Sequence, residues 1–224
     1  MIKIIPLVLW LTIALTSVGC GGGLAKLDVP SLLTSGRDGW QHPDRVMDAL
    51  ALRPGDRVAE IGAGSGYWLE RLSEAVGAEG RVYAVEVDRG LVGALEEWVE
   101  HEGLDNVRVV YGDYDDPRLP DGEIDVAMTC LTYHHLDDRV AYFRSLRADL
   151  APGARVVHLD DRPDADAPIS WFQTAGHWTE PELIVSEMDE AGYAAAAAYD
   201  FLPAQSFQVF VPKDASTAAV SVGR

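Results

Sequence analysis

Short apolar segments alternate with amphipathic segments along most of the chain, and this pattern predicts strands that alternate with helices. Apolar or alternating segments with strand character occupy residues 58–61, 81–87, 106–111, 122–131 and 154–159. Helical spacing occupies residues 69–76 and 91–102, and it returns after Asp137, which we expect to cap the helix that follows. Strands joined by helices run parallel, so the pattern predicts an α/β fold with a mainly parallel sheet.

The last third of the chain has a less decisive pattern. Residues 179–182, Thr-Glu-Pro-Glu, predict a helix start with a capping residue and a proline in the first turn. Residues 194–198 are all alanine, a composition that by itself favours helix. Residues 206–211 alternate again and predict a final strand.

A glycine loop interrupts the first strand–helix pair, within the sequence RVAEIGAGSGYW at residues 57–68. A strand that breaks into glycines and resumes as a helix forms a nucleotide-type site, because the helix start offers unpaired N–H groups to a ligand. The spacing is GxGxG, and Tyr67 stands where a dinucleotide-binding GxGxxG loop has its third glycine. An NAD-dependent oxidoreductase therefore remains only an alternative interpretation.

The glycine loop and two later strand ends resemble a known family. Glu60 followed by the three spaced glycines resembles motif I of the class I S-adenosylmethionine-dependent methyltransferases. An acid also ends the second strand, and an acid–aromatic pair follows the third. The resemblance implies that S-adenosylmethionine is the cofactor and that it is bound by Glu60, Gly62, Gly64, Gly66, Glu86, Asp113 and Tyr114.

The resemblance also assigns roles to some of these residues. Glu86 would accept hydrogen bonds from the ribose hydroxyls, with Asp88 as second choice. Asp113 would bond the adenine amino group, and Tyr114 would pack on the adenine ring. In the family, a segment such as the one around Arg37 and Trp40 covers the cofactor, although packing of Trp40 on the sheet is the simpler expectation.

The family fold is a Rossmann-like, doubly wound, seven-stranded sheet that is mainly parallel, with an antiparallel last strand. We therefore expect the alanine run to form a strand despite its composition, and residues 40–212 to form one methyltransferase domain. Cys130 is expected to be a buried strand residue.

The methyl-transfer site should lie where the fourth strand ends, at Tyr133, His134 and His135. A sulfonium already carries the leaving-group charge, so the protein mainly places the acceptor in line with the methyl group. A base is needed only when the acceptor must lose a proton. The catalytic candidates are therefore His134, His135 and Tyr133, with His158 and Asp160 as second choices.

Metal-assisted methylation is a weaker alternative. His134, His135, Asp160 and Asp161 follow two strands whose ends could meet, but the acid pattern of catechol-type enzymes is absent. We therefore predict no metal site.

Charge restricts the class of partner. The chain carries 18 basic and 36 acidic residues and a net charge of −18, whereas nucleic-acid binding needs a basic surface. We therefore expect no nucleic-acid partner. The predicted acceptor is a small molecule that the sequence does not identify.

The first twenty residues have the pattern of an export signal. Lys3 precedes an apolar run over residues 4–18, which is short for a membrane span, and small residues precede Cys20. This resembles a bacterial lipoprotein signal and predicts a cell-envelope protein that contacts the membrane only through a lipid on Cys20. Residues 21–39 would form a tether and lead-in, and residues 213–224 a disordered tail.

Two alternatives follow from this location. The protein could be cytoplasmic, or anchored in the membrane and facing the cytoplasm, where S-adenosylmethionine is made. It could also be an exported, non-catalytic binding module that kept the fold and the pocket.

Overall fold

A seven-stranded sheet forms the centre of the computed structural model, which describes residues 36–162 and 178–213. The strands follow the order β3-β2-β1-β4-β5-β7-β6 across the sheet. Their bounds are β1 (Arg57–Ile61), β2 (Arg81–Glu86), β3 (Val107–Tyr111), β4 (Ile124–Cys130), β5 (Leu150–Asp161), β6 (Tyr193–Tyr199) and β7 (Gln205–Pro212).

Helices cover both faces of this sheet. Their bounds are α1 (Asp38–Gln41), α2 (Pro43–Leu50), α3 (Leu69–Val76), α4 (Arg89–Glu102), α5 (Arg139–Leu146) and α6 (Pro181–Glu190), together with a 3₁₀ turn at Tyr133–His135.

The strand directions confirm the predicted fold class. Strands β1 to β5 are parallel, and β7 lies between β5 and β6 and is antiparallel to both. From β1 the chain moves outward through β2 and β3, and then returns to place β4 on the other side of β1. This reversal leaves a crevice at the carboxyl ends of β1 and β4, where sheets of this kind bind ligands.

Alternation along each strand produces two apolar layers. In β1, Val58 faces the layer that contains Leu50 and Leu72, and Ala59 faces the layer that contains Phe143. Because every second residue points to the same face, one strand contributes to both layers and fixes the sheet between the two sets of helices. The sheet is therefore buried on both faces, as parallel sheets usually are.

The alanine run forms strand β6, as the family resemblance predicted and composition alone did not. The strand begins at the buried Tyr193 and ends at Tyr199, whose ring lies 4.8 Å from that of Phe207 on β7. Gly192, at φ +94°, follows the end of α6 and lets the chain turn into the strand. Cross-strand pairing and the two tyrosines thus outweigh the helical propensity of alanine.

One predicted helix cap was wrong by one residue. The N-cap of α5 is Asp138, whose side chain accepts a hydrogen bond from the Ala141 N–H at 3.0 Å. Asp137 was the sequence-based choice. Two adjacent aspartates have the same propensity for the position, so only the backbone conformation distinguishes them.

The cap gives a direct stability test. We expect Asp138→Ala to lower the free energy of unfolding by about 1 kcal/mol, because one N–H at the helix start loses its acceptor. The melting temperature would fall by roughly 2–4 °C. Asp137→Ala is the matched control and should leave the melting temperature unchanged; equal losses in both variants would contradict the assignment.

The predictions for the two termini fall outside the described residues. These are the predicted signal at residues 1–20 with the anchor site Cys20, residues 21–35 of the predicted tether, and residues 214–224 of the predicted tail. Within residues 36–162 and 178–213, the helices are too short or too polar to cross a membrane.

Candidate active site

The glycine loop joins β1 to α3 at the sheet crevice. Gly62, Gly64 and Gly66 have φ values of +78°, +56° and +82°, a region that side chains other than glycine rarely occupy. A Cβ atom at Gly62 would collide with the Thr132 side chain, whereas one at Gly64 would have Gly62 O, at 4.0 Å, as its nearest neighbour. The loop is therefore packed against the end of β4 at Gly62 and open at Gly64.

Glu86 binds the open part of this loop. It is the last residue of β2 and is almost fully buried, and its carboxylate accepts from Gly64 N at 2.9 Å. The other carboxylate oxygen accepts from the Val87 and Asp88 N–H groups at 2.8 and 3.0 Å. Asp88, the second choice, is the N-cap of α4 and accepts from Gly90 N and Leu91 N.

Glu60 lies beneath the loop in an environment that disfavours its charge. Its side chain is 2% exposed, and Oε2 has no hydrogen-bond partner among the described residues. Burial raises the pKa of Glu60 to about 8; nearby Arg37 opposes this effect and Glu86 adds to it. The side chain is therefore mostly protonated at neutral pH.

The acid–aromatic pair lies at the neighbouring strand end. Gly112 N donates to Glu86 O at 3.0 Å, so Asp113 follows directly from a contact with the end of β2. Asp113 forms an ion pair with Arg118, and Tyr114 is 68% exposed. The structure thus brings Asp113 to the same sheet edge as Glu86, and the adenine contacts of Asp113 and Tyr114 stay predictions.

A short covering segment, residues 37–41, is hydrogen-bonded to the last residue of β4 and the first residue of β7. Gln41 is fully buried and donates to Cys130 Sγ at 2.9 Å and to Gln205 Oε1 at 2.7 Å. Arg37 Nη2 lies 3.3 Å from Cys130 Sγ, and Arg37 Cζ lies 4.0 Å from the centre of the Tyr67 ring. Cys130 is the buried last residue of β4, as predicted, and burial raises the pKa of its thiol.

The buried glutamine of this segment was not predicted from the sequence. Trp40 was expected to pack on the sheet, but Gln41 is the buried residue and Trp40 is half-buried. Neither Gln41 nor Gln205 belongs to a motif, because each is defined only by its partner 164 positions away. No local pattern could have identified the pair.

Two of the sequence candidates lie in the apolar core beneath the sheet edge. The Tyr133 ring is fully buried and stacked on Phe143, and its hydroxyl donates to Glu187 at 2.9 Å. His158 is also fully buried, with Nδ1 2.8 Å from Thr129 Oγ1, and burial lowers its pKa to about 3. These contacts favour packing roles for both side chains.

His134 and Asp160 form a buried pair at the crevice. Nδ1 of His134 lies 2.7 Å from Asp160 Oδ1, and the two side chains are 6% and 0% exposed. His134 follows β4 and Asp160 lies at the end of β5, so the sheet itself brings them together. The ring centres of His135 and His134 are 4.1 Å apart, and His135 is exposed.

The metal alternative has no geometric support within the described part of the chain. No group of three or more histidine, cysteine, aspartate or glutamate side chains there is arranged to hold an ion.

Comparisons with known proteins identify the type of domain. Residues 58–153 match the family described as methyltransferase domain. The Ubiquinone/menaquinone biosynthesis C-methyltransferase UbiE of Vibrio campbellii is 25% identical over 176 residues, or 76% of this chain and 68% of that protein. The demethylmenaquinone methyltransferase of Geobacillus kaustophilus is 26% identical over 115 residues, or 51% of this chain and 49% of that protein.

The chain is also similar to a transposon-encoded protein and to a solved methyltransferase structure. An uncharacterized 37.1 kDa protein in a transposon of Streptomyces fradiae is 34% identical over 122 residues, or 54% of this chain, and these residues span 34% of that protein. The crystal structure of an S-adenosylmethionine-dependent methyltransferase from Aquifex aeolicus superposes with a TM-score of 0.72 at 23% identity. It covers 82% of this chain and 97% of that one.

Residues 58–153 therefore match a methyltransferase domain, and the fold is that of a solved S-adenosylmethionine-dependent methyltransferase. The site residues fit this cofactor. The loop is open at Gly64, where a Cβ would have only Gly62 O at 4.0 Å, and the Glu86 carboxylate accepts from Gly64 N. The buried Glu60 Oε2 has no partner among the described residues.

Proposed function

We propose that the protein transfers a methyl group from S-adenosylmethionine to a small-molecule acceptor. The observation that carries the proposal is the contact between Gly64 N and the Glu86 carboxylate at the carboxyl ends of β1 and β2. This contact places a backbone donor and a buried carboxylate side by side, the combination that a ribose next to a glycine loop requires.

We assign the cofactor contacts as the sequence suggested. The three loop glycines would admit the cofactor to the backbone, Glu86 would accept from the ribose hydroxyls, and Asp113 with Tyr114 would hold the adenine. When bound, the cofactor supplies a methyl group on a positively charged sulfur. The protein then has to orient the acceptor and exclude water.

The proposed acceptor class rests on the relatives and on charge. Two relatives are named for methylation in ubiquinone or menaquinone biosynthesis, which concerns small molecules. The net charge of −18 disfavours a polyanionic acceptor such as RNA.

We also propose that the protein is anchored to the cell envelope by a lipid on Cys20. The support is the sequence: an apolar run with a preceding lysine and small residues before the cysteine. Mass spectrometry of the protein isolated from its own cells would detect the added acyl mass. A protein with an intact, unmodified N-terminus would contradict the anchor.

Calorimetry followed by label transfer tests the main proposal. We expect S-adenosylmethionine to bind in the micromolar range, with one site per chain. In cell extract, the label of methyl-labelled S-adenosylmethionine should enter the low-mass fraction and not the protein or nucleic-acid fraction.

Two outcomes would overturn this function. Absence of binding at high micromolar S-adenosylmethionine would remove the cofactor assignment. Binding with no transfer of label in any extract would instead support the non-catalytic binding module.

A further inference from the structure

We propose that His134 takes the proton from a phenolic hydroxyl group of the acceptor and that Asp160 acts as its positioning residue. The inference rests on the proposed methyltransferase function and names the acceptor class for the same site. Its observation is the buried contact of 2.7 Å between His134 Nδ1 and Asp160 Oδ1 at the ends of β4 and β5.

The contact fixes the orientation of the imidazole. An ionised carboxylate only accepts hydrogen bonds, so Nδ1 carries the proton and Nε2 has the basic lone pair. Asp160 is fully buried, and its Oδ2 has no hydrogen-bond partner among the described residues. A buried carboxylate with an unsatisfied oxygen is costly, and an imidazolium formed beside it would lower that cost.

The pair lies next to the cofactor loop. His134 belongs to the turn that begins just after Thr132, and the Thr132 side chain fills the space beside Gly62. The loop after β1 and the turn after β4 thus form the two sides of the crevice at which the strand order reverses. A base on this turn reaches an acceptor placed next to the cofactor.

The neighbouring candidates do not offer the same chemistry. Both ring nitrogens of His158 lie against core atoms, Thr129 Oγ1 and Met188 Sδ. Burial and the adjoining Glu187 raise the pKa of Tyr133, so its hydroxyl stays protonated. Asp161, at the end of β5, has a pKa raised to about 6 by burial and by Asp160, and the contact of His134 Nδ1 is with Asp160.

Burial of the pair favours an acceptor that is neutral on entry. His134 is 6% exposed, and a charged acceptor would lose its hydration in such a site. A phenol enters neutral, because its hydroxyl ionises only near pH 10 in water, and it then needs a base at the site to lose its proton. An alkyl alcohol is far less acidic, so the same base would deprotonate it much less readily.

The step balances without another reactant. The acceptor O–H bond breaks and its proton goes to His134 Nε2, while the oxygen electron pair forms the new O–CH₃ bond and the C–S electron pair returns to sulfur. The imidazolium is paired with Asp160 and releases its proton to solvent when product leaves. The products are a methyl ether, a neutral thioether and one proton.

The test uses two phenols that differ in acidity. Phenol is neutral at about pH 8, whereas 4-nitrophenol is largely ionised there and needs no base. With methyl-labelled S-adenosylmethionine, we expect His134→Gln to lower the rate with phenol by roughly 10²- to 10⁴-fold. The rate with 4-nitrophenol should fall less than about tenfold. His101→Gln, on the exposed surface of α4, is the matched control.

Asp160→Asn tests whether Asp160 orients the His134 ring. The measurement is which ring nitrogen carries the proton, which a purely packing role of Asp160 would not change. Nitrogen-15 NMR of the wild type should show the neutral His134 ring protonated at Nδ1. In Asp160→Asn this preference should be lost, and the rate with phenol should fall more than the rate with 4-nitrophenol. Asp48→Asn, on the exposed side of α2, is the control.

Several results would overturn the inference. Label transfer to extract compounds but to neither phenol would remove the acceptor class and leave the methyltransferase function intact. Equal rate losses with both phenols in His134→Gln would remove the proton transfer. Methylation of ring carbon only would remove the proposed O–CH₃ bond. If Asp160→Asn does not fold, the His134→Gln comparison decides. Absence of S-adenosylmethionine binding would be a failure of the proposed function instead.

Discussion

The Glu86→Ala variant should bind S-adenosylmethionine about 100-fold more weakly than the wild type, a loss of about 2.7 kcal/mol. In the proposed complex the Glu86 carboxylate accepts from the ribose hydroxyls, and hydrogen bonds to a charged group contribute about 1.5–3 kcal/mol each. The same carboxylate accepts from Gly64 N, so the variant also releases the glycine loop that the cofactor must contact. Titration calorimetry measures both affinities directly.

The control separates a local effect from a general loss of charge. Glu79→Ala removes an exposed acid near the start of β2 and should leave the affinity unchanged. The loss in Glu86→Ala should be equally large for S-adenosylhomocysteine, because that molecule shares the ribose. Affinities of the two variants within threefold of each other would contradict the ribose assignment.

The fold was predictable because its signals are local and repeated. Apolar strands, amphipathic helices and glycine turns recur along the chain, and each predicts its element independently. The prediction was weakest at residues 194–198, where five alanines favour helix and only pairing with β7 decides for strand. The prediction of Asp137 as the helix cap was wrong because two adjacent aspartates are equally suited to the position. Only the backbone conformation shows that the helix begins after Asp138.

The site was predictable in its parts and not in its connections. The family resemblance singled out the glycine loop, Glu86 and Asp113, and the structure brings them to one edge of the sheet, while their contacts with the cofactor stay predictions. The contact of Gln41 with Gln205 and that of His134 with Asp160 depend on strand order, which joins distant parts of the chain. The sequence predicts that His134 and Asp160 follow strands whose ends could meet, but it does not predict which of their atoms are in contact.

Burial changes the meaning of the acid that opens the motif. In the sequence, Glu60 is one of 36 acidic residues, and the formal net charge counts it as negative. In the structure its pKa of about 8 makes it a neutral carboxylic acid at pH 7. Desolvation is the main cause, and it depends on the core that surrounds β1, which the sequence does not display.

Glu60→Gln should therefore stabilise the ligand-free protein at alkaline pH. The pKa is raised from 4.5 in the unfolded chain to about 8 in the folded one, so the folded state binds more protons between these values. The free energy of unfolding of the wild type then falls as pH rises through this window and the penalty is complete above about pH 8. At about 1.36 kcal/mol for each unit, the loss relative to the neutral variant reaches about 4–5 kcal/mol.

Urea unfolding of both proteins at several pH values between about 5 and 9 measures this difference. Titrating groups that are not coupled to Glu60, such as His158, contribute equally to both proteins and cancel in the comparison. Glu79→Gln changes an exposed carboxylate in the same way and should give a difference that is independent of pH. A Glu60→Gln difference that is equally flat would mean that Glu60 is ionised in the folded protein, and that the carboxylate has found a cationic partner that offsets its burial.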